Sequence, residues 1–263
     1  MSSVRAPTPR WVTAIAAVAL LLFVTPLAGL AYAAPWAELV ELLCAPETLS
    51  AMGLSLQCSL LSAALCVALG LPLATWLAHG DGFLRKVARV VTTLPMVLPP
   101  VVGGIALLLA FGPKGVVGAP LEAWFGVELP FTRGAVVLAT TYVAMPFFVL
   151  TVESGLRSFD PRYVDAATTL GASPWRAFVT VTLPMIAPSL RAGLLVAWAR
   201  ALGEFGATIT FAGSFEGRTR TLPLAVYHAL ESKPAAAIAL SIVLLAISAA
   251  VLFLLRKKWF PIR

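Results

Sequence analysis

Six apolar runs, separated by short polar stretches, dominate the chain. Each run is long enough to cross a hydrocarbon core of about 30 Å as an α-helix, and none shows the alternation typical of a barrel strand. Composition agrees, because 60% of the 263 residues are hydrophobic, 12% are charged and the mean hydropathy is +0.93. The pattern predicts an all-α integral membrane protein with six transmembrane helices. The predicted spans are residues 11–34, 48–78, 87–111, 134–152, 184–212 and 234–255.

The first run has a second interpretation. Arg5 and Arg10 precede it and it ends in Ala31-Tyr32-Ala33, a pattern that is also typical of a cleaved signal peptide. Its length favours a retained span. Cleavage would remove one helix and leave the orientation of the others unchanged.

Basic residues are concentrated on one side of the predicted membrane. The termini, the loops after the second and fourth runs and the adjoining parts of the next spans, with Arg89 and Arg191, hold 13 of the 19 Lys and Arg residues. Because positively charged loops stay in the cytoplasm, both termini of this multi-pass protein are predicted to be cytoplasmic. The net charge of +7 is explained by this topology, so nucleic-acid binding is not expected.

The chain shows no sign of its own energy source. The longest polar stretch is only about 30 residues, too short for a hidden soluble domain. No segment matches the Gly-rich phosphate loop ending in Gly-Lys-Ser/Thr. If ATP drives this protein, a partner must hydrolyse it.

The polar stretch between the fourth and fifth runs predicts two short helices joined by a tight turn. Asp160 is suited to cap the first helix, with Pro161 at its first position, and Gly171 to end it. Ser173 is suited to cap the second, with Pro174 at its first position. Both helices would lie flat under the membrane.

Two surfaces could receive these helices. The small residues Ala166 and Ala167 beside the glycine turn favour close approach by another protein. Trp175 and Phe178 would equally suit a connector lying in the lipid interface.

This stretch resembles the EAA loop of ABC importer permeases: an acidic residue, two alanines, a glycine and Leu-Pro at fixed spacing. Asp165 and Val181 replace the usual Glu and Ile, and every spacing is kept. In that family the loop inserts into a groove on the ATPase subunit. The resemblance therefore implies a coupling loop at about residues 153–184, within a single transmembrane domain spanning residues 1–263. The implied coupling residues are Asp165, Ala166, Ala167, Gly171, Ala172, Ser173, Pro174, Trp175, Leu183 and Pro184.

Two further stretches, residues 92–104 and 199–208, resemble the permease subunits for molybdate, tungstate and sulfate. Gly-Glu-Phe-Gly-Ala-Thr at residues 203–208 is most similar to the molybdate permeases, although sulfate permeases are closely similar here. The resemblance implies a protein of the bacterial inner membrane with a type I ABC importer permease fold, and a transport path at the junction with a second copy of the chain. It also implies two cytoplasmic ABC ATPase subunits that bind ATP and Mg, and an extracytoplasmic oxyanion-binding protein. No cofactor is expected in this chain.

The third run contains Pro95, Pro99 and Pro100, followed by Gly103 and Gly104. Prolines interrupt the helical hydrogen bonds near membrane depth. Broken helices are tolerated where they line a water-filled cavity, and they often line a transport path. A kinked packing helix is the alternative.

In the fifth run, Arg200 and Glu204 are interpreted as the only opposed charges deep within a span. Their i,i+4 spacing puts them on one helical face, and the cost of charge in lipid predicts that this face meets the protein interior. They form either a structural salt bridge or part of a gate, with Gly203 and Gly206 allowing a second subunit to come close.

The oxyanion needs hydrogen-bond donors that do not trap it. Thr92, Thr93, Thr208 and Thr210 are the candidate donors, and selectivity is expected in the binding protein. The predicted path or gate residues are Thr92, Thr93, Pro95, Pro99, Arg200, Gly203, Glu204, Gly206 and Thr208.

Two other classes of protein fit less well. An intramembrane enzyme needs a converging nucleophile, base or metal site within the spans, and the sequence offers neither those groups nor a cysteine cluster of metal-binding spacing. An autonomous channel would not need the coupling loop.

Overall fold

The computed structural model describes residues 9–259, with side chains described for residues 9–253. The predicted cytoplasmic location of the termini therefore rests partly on residues outside this range, including Arg5, the side chains of Arg256, Lys257 and Lys258, and Arg263. The helices are α1 (Arg10–Tyr32), α2 (Leu39–Cys44), α3 (Pro46–Ala78), α4 (Phe83–Val97), α5 (Pro100–Phe111), α6 (Gly118–Phe125), α7 (Arg133–Arg157), α8 (Arg162–Thr169), α9 (Pro174–Ala177), α10 (Leu183–Leu202), α11 (Gly206–Phe211), α12 (Leu222–Ser232) and α13 (Pro234–Trp259).

The predicted all-α membrane fold is confirmed. Among the described residues, five helical stretches are long and apolar enough to cross a bilayer, and the bent pair α4–α5 meets the same criteria as a sixth. The five are α1, α3, α7, the stretch Pro174–Leu202 and α13.

The core lies around α7, which packs against α3 and α10. Phe148, Val149 and Val152 of α7 are fully buried there, against Leu77 of α3 and Ala197 of α10. Close packing of this kind holds helices together in lipid, where the hydrophobic effect gives no drive for association. In contrast, α1 lies beside α13 and buries none of its residues.

The third run is broken into two helices, as its prolines predicted, and it begins at Phe83, before the predicted bound at residue 87. Helices α4 and α5 meet at an angle change of 119°. Leu98 and Pro99 between them are extended, with ψ of 137° and 131°. Each of these residues precedes a proline, and proline disfavours the helical conformation of the residue before it.

The fifth run also differs from its predicted bounds at both ends. The second loop helix is not separate, because α9 continues through a π-helical turn, Phe178–Thr182, directly into α10. At the other end the helix stops at Leu202 and resumes as α11 after a break at residues 203–205. The predicted span 184–212 is therefore one long helix that begins earlier, at Pro174, followed by a short one.

Candidate functional site

The two broken helices meet each other at their breaks. A Cβ atom on Gly206 would lie 2.7 Å from Cβ of Pro100, and a Cβ atom on Gly104 would lie 2.9 Å from Cα of Ala207. Real Cβ atoms do not approach so closely, so these glycines are what allow α5 and α11 to cross in contact. These contacts bring the break at residues 98–99 close to the break at residues 203–205 within one copy of the chain.

The predicted ion pair lies beside this crossing. Arg200 Nη1 is 2.5 Å from Glu204 Oε2, and the Glu204 side chain is 1% exposed. The second carboxylate oxygen, Oε1, accepts a hydrogen bond of 2.9 Å from the Ala207 backbone N–H. A carboxylate at the start of a helix satisfies free N–H groups there. Glu204 therefore links the end of α10 to the start of α11.

The two glycines of the predicted gate have different surroundings. The space beside Gly206 is filled by Pro100 of the same chain, so the expectation that Gly206 lets a second subunit come close is wrong. Gly203 is exposed, and a Cβ there would meet only the Ala199 carbonyl oxygen, at 3.6 Å. Approach of a second subunit at Gly203 stays a prediction.

The predicted threonine donors are mostly engaged. The hydroxyls of Thr92, Thr93 and Thr210 donate to carbonyl oxygens of their own helices, at 2.8, 2.9 and 3.0 Å. They therefore present acceptor lone pairs, which an oxyanion does not need. The Thr208 hydroxyl is buried and has no hydrogen-bond partner among the described residues.

Thr92 and Pro95 line a cavity of about 300 Å³. The cavity lies between α3, α4, α5 and α7, and its remaining lining is mostly apolar, including Leu138 and Tyr142. No α11 residue lines it. Neither Arg200 nor Glu204 lines this cavity, so the structure does not bring Thr92 and Pro95 together with the ion pair there.

The tight turn predicted between the two loop helices is present, with Asp160, Gly171 and Ser173 in the predicted capping roles. Asp160 Oδ1 accepts from the Arg162 N–H at 3.0 Å, and α8 begins at Arg162, one residue later than predicted. Gly171 follows the helix end with φ of +85°, and its N–H donates to the Thr168 carbonyl at 2.9 Å. The Ser173 hydroxyl accepts from the Arg176 N–H at 3.3 Å. Gly171 is favoured because a left-handed backbone strains other residues.

The loop turns bulky apolar side chains outward. Tyr163, Leu170 and Trp175 are 55%, 89% and 73% exposed. Asp165 is also exposed. Large apolar side chains left exposed on a loop are candidates for contact with a protein or a membrane.

Sequence reasoning missed an ion cluster where α7 enters the loop. Glu153, which is 4% exposed, accepts from Arg89 at 2.7 Å and from Arg157 at 3.0 Å. Arg200–Glu204 is therefore not the only buried ion pair, which corrects the prediction. The i,i+4 spacing of Glu153 and Arg157 was a signal for half of this cluster, whereas the Arg89 contact spans 64 residues of sequence.

The outer member of the cluster is Asp81, between α3 and α4. Arg157 Nη2 donates to its carboxylate at 2.8 Å. This hydrogen bond and the positive charge of Arg157 hold the pKa of Asp81 below its ordinary value. Asp81 is therefore ionised at neutral pH and completes the cluster.

Comparison with known proteins shows the family to which the chain belongs. The family described as the binding-protein-dependent transport system inner membrane component matches residues 70–257. The chain belongs to this family. The match covers both broken helices, the ion cluster and the predicted coupling loop.

Named relatives of this permease are similar over most of its length. It is 44% identical over 243 residues to the molybdenum transport system permease protein ModB of Mycobacterium tuberculosis, covering 92% of each chain. It is 39% identical to ModB of Haemophilus influenzae, covering 82% of this chain and 94% of that one. These relatives are transport permeases, so the prediction that the chain is a transport subunit and not an enzyme is confirmed.

Solved structures confirm the ABC importer permease fold. A chain of a bacterial alginate ABC transporter, in complex with an alginate-bound periplasmic protein, superposes with a TM-score of 0.73 at 18% identity. That match covers 94% of this permease and 93% of the other chain. The MetNI methionine ABC transporter in an inward-facing form gives a TM-score of 0.57 at 16% identity, covering 79% and 94%.

Proposed function

We propose that this permease is the membrane-spanning subunit of an ATP-driven molybdate importer. The observation that carries the proposal is the 44% identity, over 92% of both chains, to a permease named for molybdenum transport. A similarity of that length includes the coupling loop and both broken helices. Residues 1–263 would then act as a single transmembrane domain.

The coupling loop is the proposed joint with the ATPase. Helix α8 has no buried residue, and Leu170 and Trp175 are largely exposed. Such an exposed helix suits insertion into a groove of a partner. Two cytoplasmic ABC ATPase subunits, holding ATP and Mg, would dock here, one on each of two copies of the permease.

The transport path is proposed at the junction of two copies of the chain. Gly203 is exposed next to the break between α10 and α11, where a second copy could approach closely. Glu204 ties the two helix ends together, so movement of α10 would carry α11 with it. Alternating access would follow from tilting of these helices as the ATPases close and reopen.

An extracytoplasmic binding protein is proposed to deliver the anion. The described part of the chain presents no cluster of unpaired arginines at the breaks, since Arg200 is held by Glu204. A path that binds weakly releases its ion readily. Selectivity would therefore come from the binding protein. The alternative to molybdate as the transported anion is tungstate or sulfate.

The coupling-loop end is proposed to face the cytoplasm. Arg89, Arg157, Arg162, Arg176 and Arg191 lie at that end of the helices, as the positive-inside rule requires. The lipid bilayer is a further partner, because α1 exposes Trp11, Leu22 and Phe23 along its length.

Competition for uptake tests the substrate. Vesicles holding the permease, its ATPase and its binding protein are expected to accumulate radiolabelled molybdate when ATP is supplied. Excess tungstate should block this uptake because it matches molybdate in size and charge, and excess sulfate should not. Sulfate accumulation would instead assign the protein to the sulfate permeases.

A further inference from the structure

The two carboxylate oxygens of the buried Glu153 differ in the number of hydrogen bonds that they accept. Its Oε1 atom accepts from Arg89 Nε at 2.9 Å, from Arg89 Nη2 at 2.7 Å and from Arg157 Nε at 3.0 Å. Its Oε2 atom is buried and has no hydrogen-bond partner among the described residues. A buried carboxylate oxygen without a donor is costly, so this arrangement leaves one strong acceptor unused.

The cluster joins three helices at one point. Arg89 and Arg157 both donate to the Leu77 carbonyl near the end of α3, at 3.2 and 3.3 Å. Arg89 belongs to α4, and Glu153 and Arg157 belong to the last turns of α7. The end of α3, the middle of α4 and the end of α7 are therefore connected through charged hydrogen bonds, the strongest kind in proteins.

This point lies between the two moving parts of the proposed importer. Arg157 is the last residue of α7, and the chain continues from it into the coupling loop. Arg89 lies in α4, nine residues before the break at Leu98. A displacement of the α7 end would thus reach α4 through the cluster, and α4 would carry it to its junction with α5.

We propose that Glu153 is a positioning residue that relays movement of the coupling loop to the broken third span. The proposal rests on docking of the ATPase at the loop. The unused Oε2 atom would give Arg89 a second acceptor if α4 shifted, so the cluster would gain a second arrangement with the same partners. An element with two discrete arrangements is what coupling between distant sites requires.

Chemical labelling of α4 tests the relay without reference to the transported anion. The probe is Val97→Cys, because Val97 is 84% exposed next to the break. The same chain carries Cys44→Ser, which removes the exposed native cysteine. The rate of maleimide labelling is compared with and without ATP in the complex with the ATPase. With Glu153 intact, ATP is expected to change this rate.

Glu153→Gln is expected to keep ATPase association and ATP hydrolysis while reducing the ATP-dependent change in labelling rate. The glutamine keeps the shape of the side chain but lacks the charge that holds both arginines. The expected reduction is about two- to thirtyfold, the range found for residues that couple two sites. Asp81→Asn is the matched control, because Asp81 belongs to the same cluster but its side chain is 62% exposed, and its labelling change should stay near that of the parent.

A double variant covers the case in which Glu153→Gln fails to fold. Arg89→Met with Glu153→Leu removes both charges and leaves Arg157 paired with Asp81, and such apolar replacements often preserve stability. It is expected to fold, bind the ATPase and still lack the labelling change. A parental labelling change in either folded variant, or no change in the parent, would overturn the relay. If the parent shows the ATP-dependent change in labelling rate but takes up no molybdate, only the substrate proposal is contradicted.

Discussion

A Gly171→Trp variant is expected to insert into the membrane in normal amounts and to lose almost all association with the ATPase subunit. A Cβ atom on Gly171 would meet no atom within 4 Å, so the indole has room within the permease. It would project from the proposed docking surface, beside Leu170 and Trp175. Steric overlap of the indole with the ATPase, and not unfolding of the permease, is therefore the expected cause of the lost association. Co-purification of the ATPase with tagged permease measures this association.

The control must carry the same backbone strain, because Gly171 has φ of +85°. Gly126 also has positive φ, +64°, and open space around its Cβ direction, but it ends α6 at the far end of the bundle. At both sites a side chain costs about 1–2 kcal/mol of backbone strain. Gly126→Trp should keep the ATPase. Normal ATPase recovery with Gly171→Trp, or equal loss in both variants, would contradict docking at this turn.

Among the single substitutions proposed for this chain, Glu204→Ala is expected to give the largest loss of folded permease. It leaves Arg200 without its partner within the membrane bundle and frees the Ala207 N–H. Removing one partner of a buried ion pair costs about 3–5 kcal/mol. Thermal unfolding in detergent and ATP-dependent uptake measure the effect. Glu204→Gln should recover part of the stability, because its amide oxygen still accepts from Ala207.

An exposed pair of the same spacing supplies the control. Arg220 and Glu216 are also four residues apart, with nitrogen and oxygen 3.2 Å apart, but the Glu216 side chain is 55% exposed. Exposed pairs contribute about 0–1 kcal/mol, so Glu216→Ala should change stability little. Similar losses in Glu204→Ala and Glu216→Ala would show that burial of Glu204 has no special role.

Local sequence signals predict the spans and the loop well, because both depend on nearby residues. Apolar length decides which segments cross the bilayer, and the turn at Gly171 follows from one glycine after a short helix. The Pro99-Pro100 pair signals a break in the third span. The size of the bend, 119°, does not follow from the prolines, since it depends on how α5 packs against α11.

Contacts between distant residues account for what sequence reasoning misses. Arg89 meets Glu153 across 64 positions, and Gly206 meets Pro100 across 106. Glycines in spans predict close approach, but they do not say to which surface. The threonine hydroxyls show the same limit, because a hydroxyl in a helix also has its own backbone carbonyls as acceptors.

The most direct test of the account is reconstitution with each component omitted. Proteoliposomes holding the permease, its ATPase and its binding protein are expected to take up molybdate only when all three and ATP are present. Each omission should reduce uptake to background, because this chain couples a partner's ATP hydrolysis to the path. Molybdate flux through the permease alone, or uptake without ATP, would contradict the account and indicate an autonomous channel.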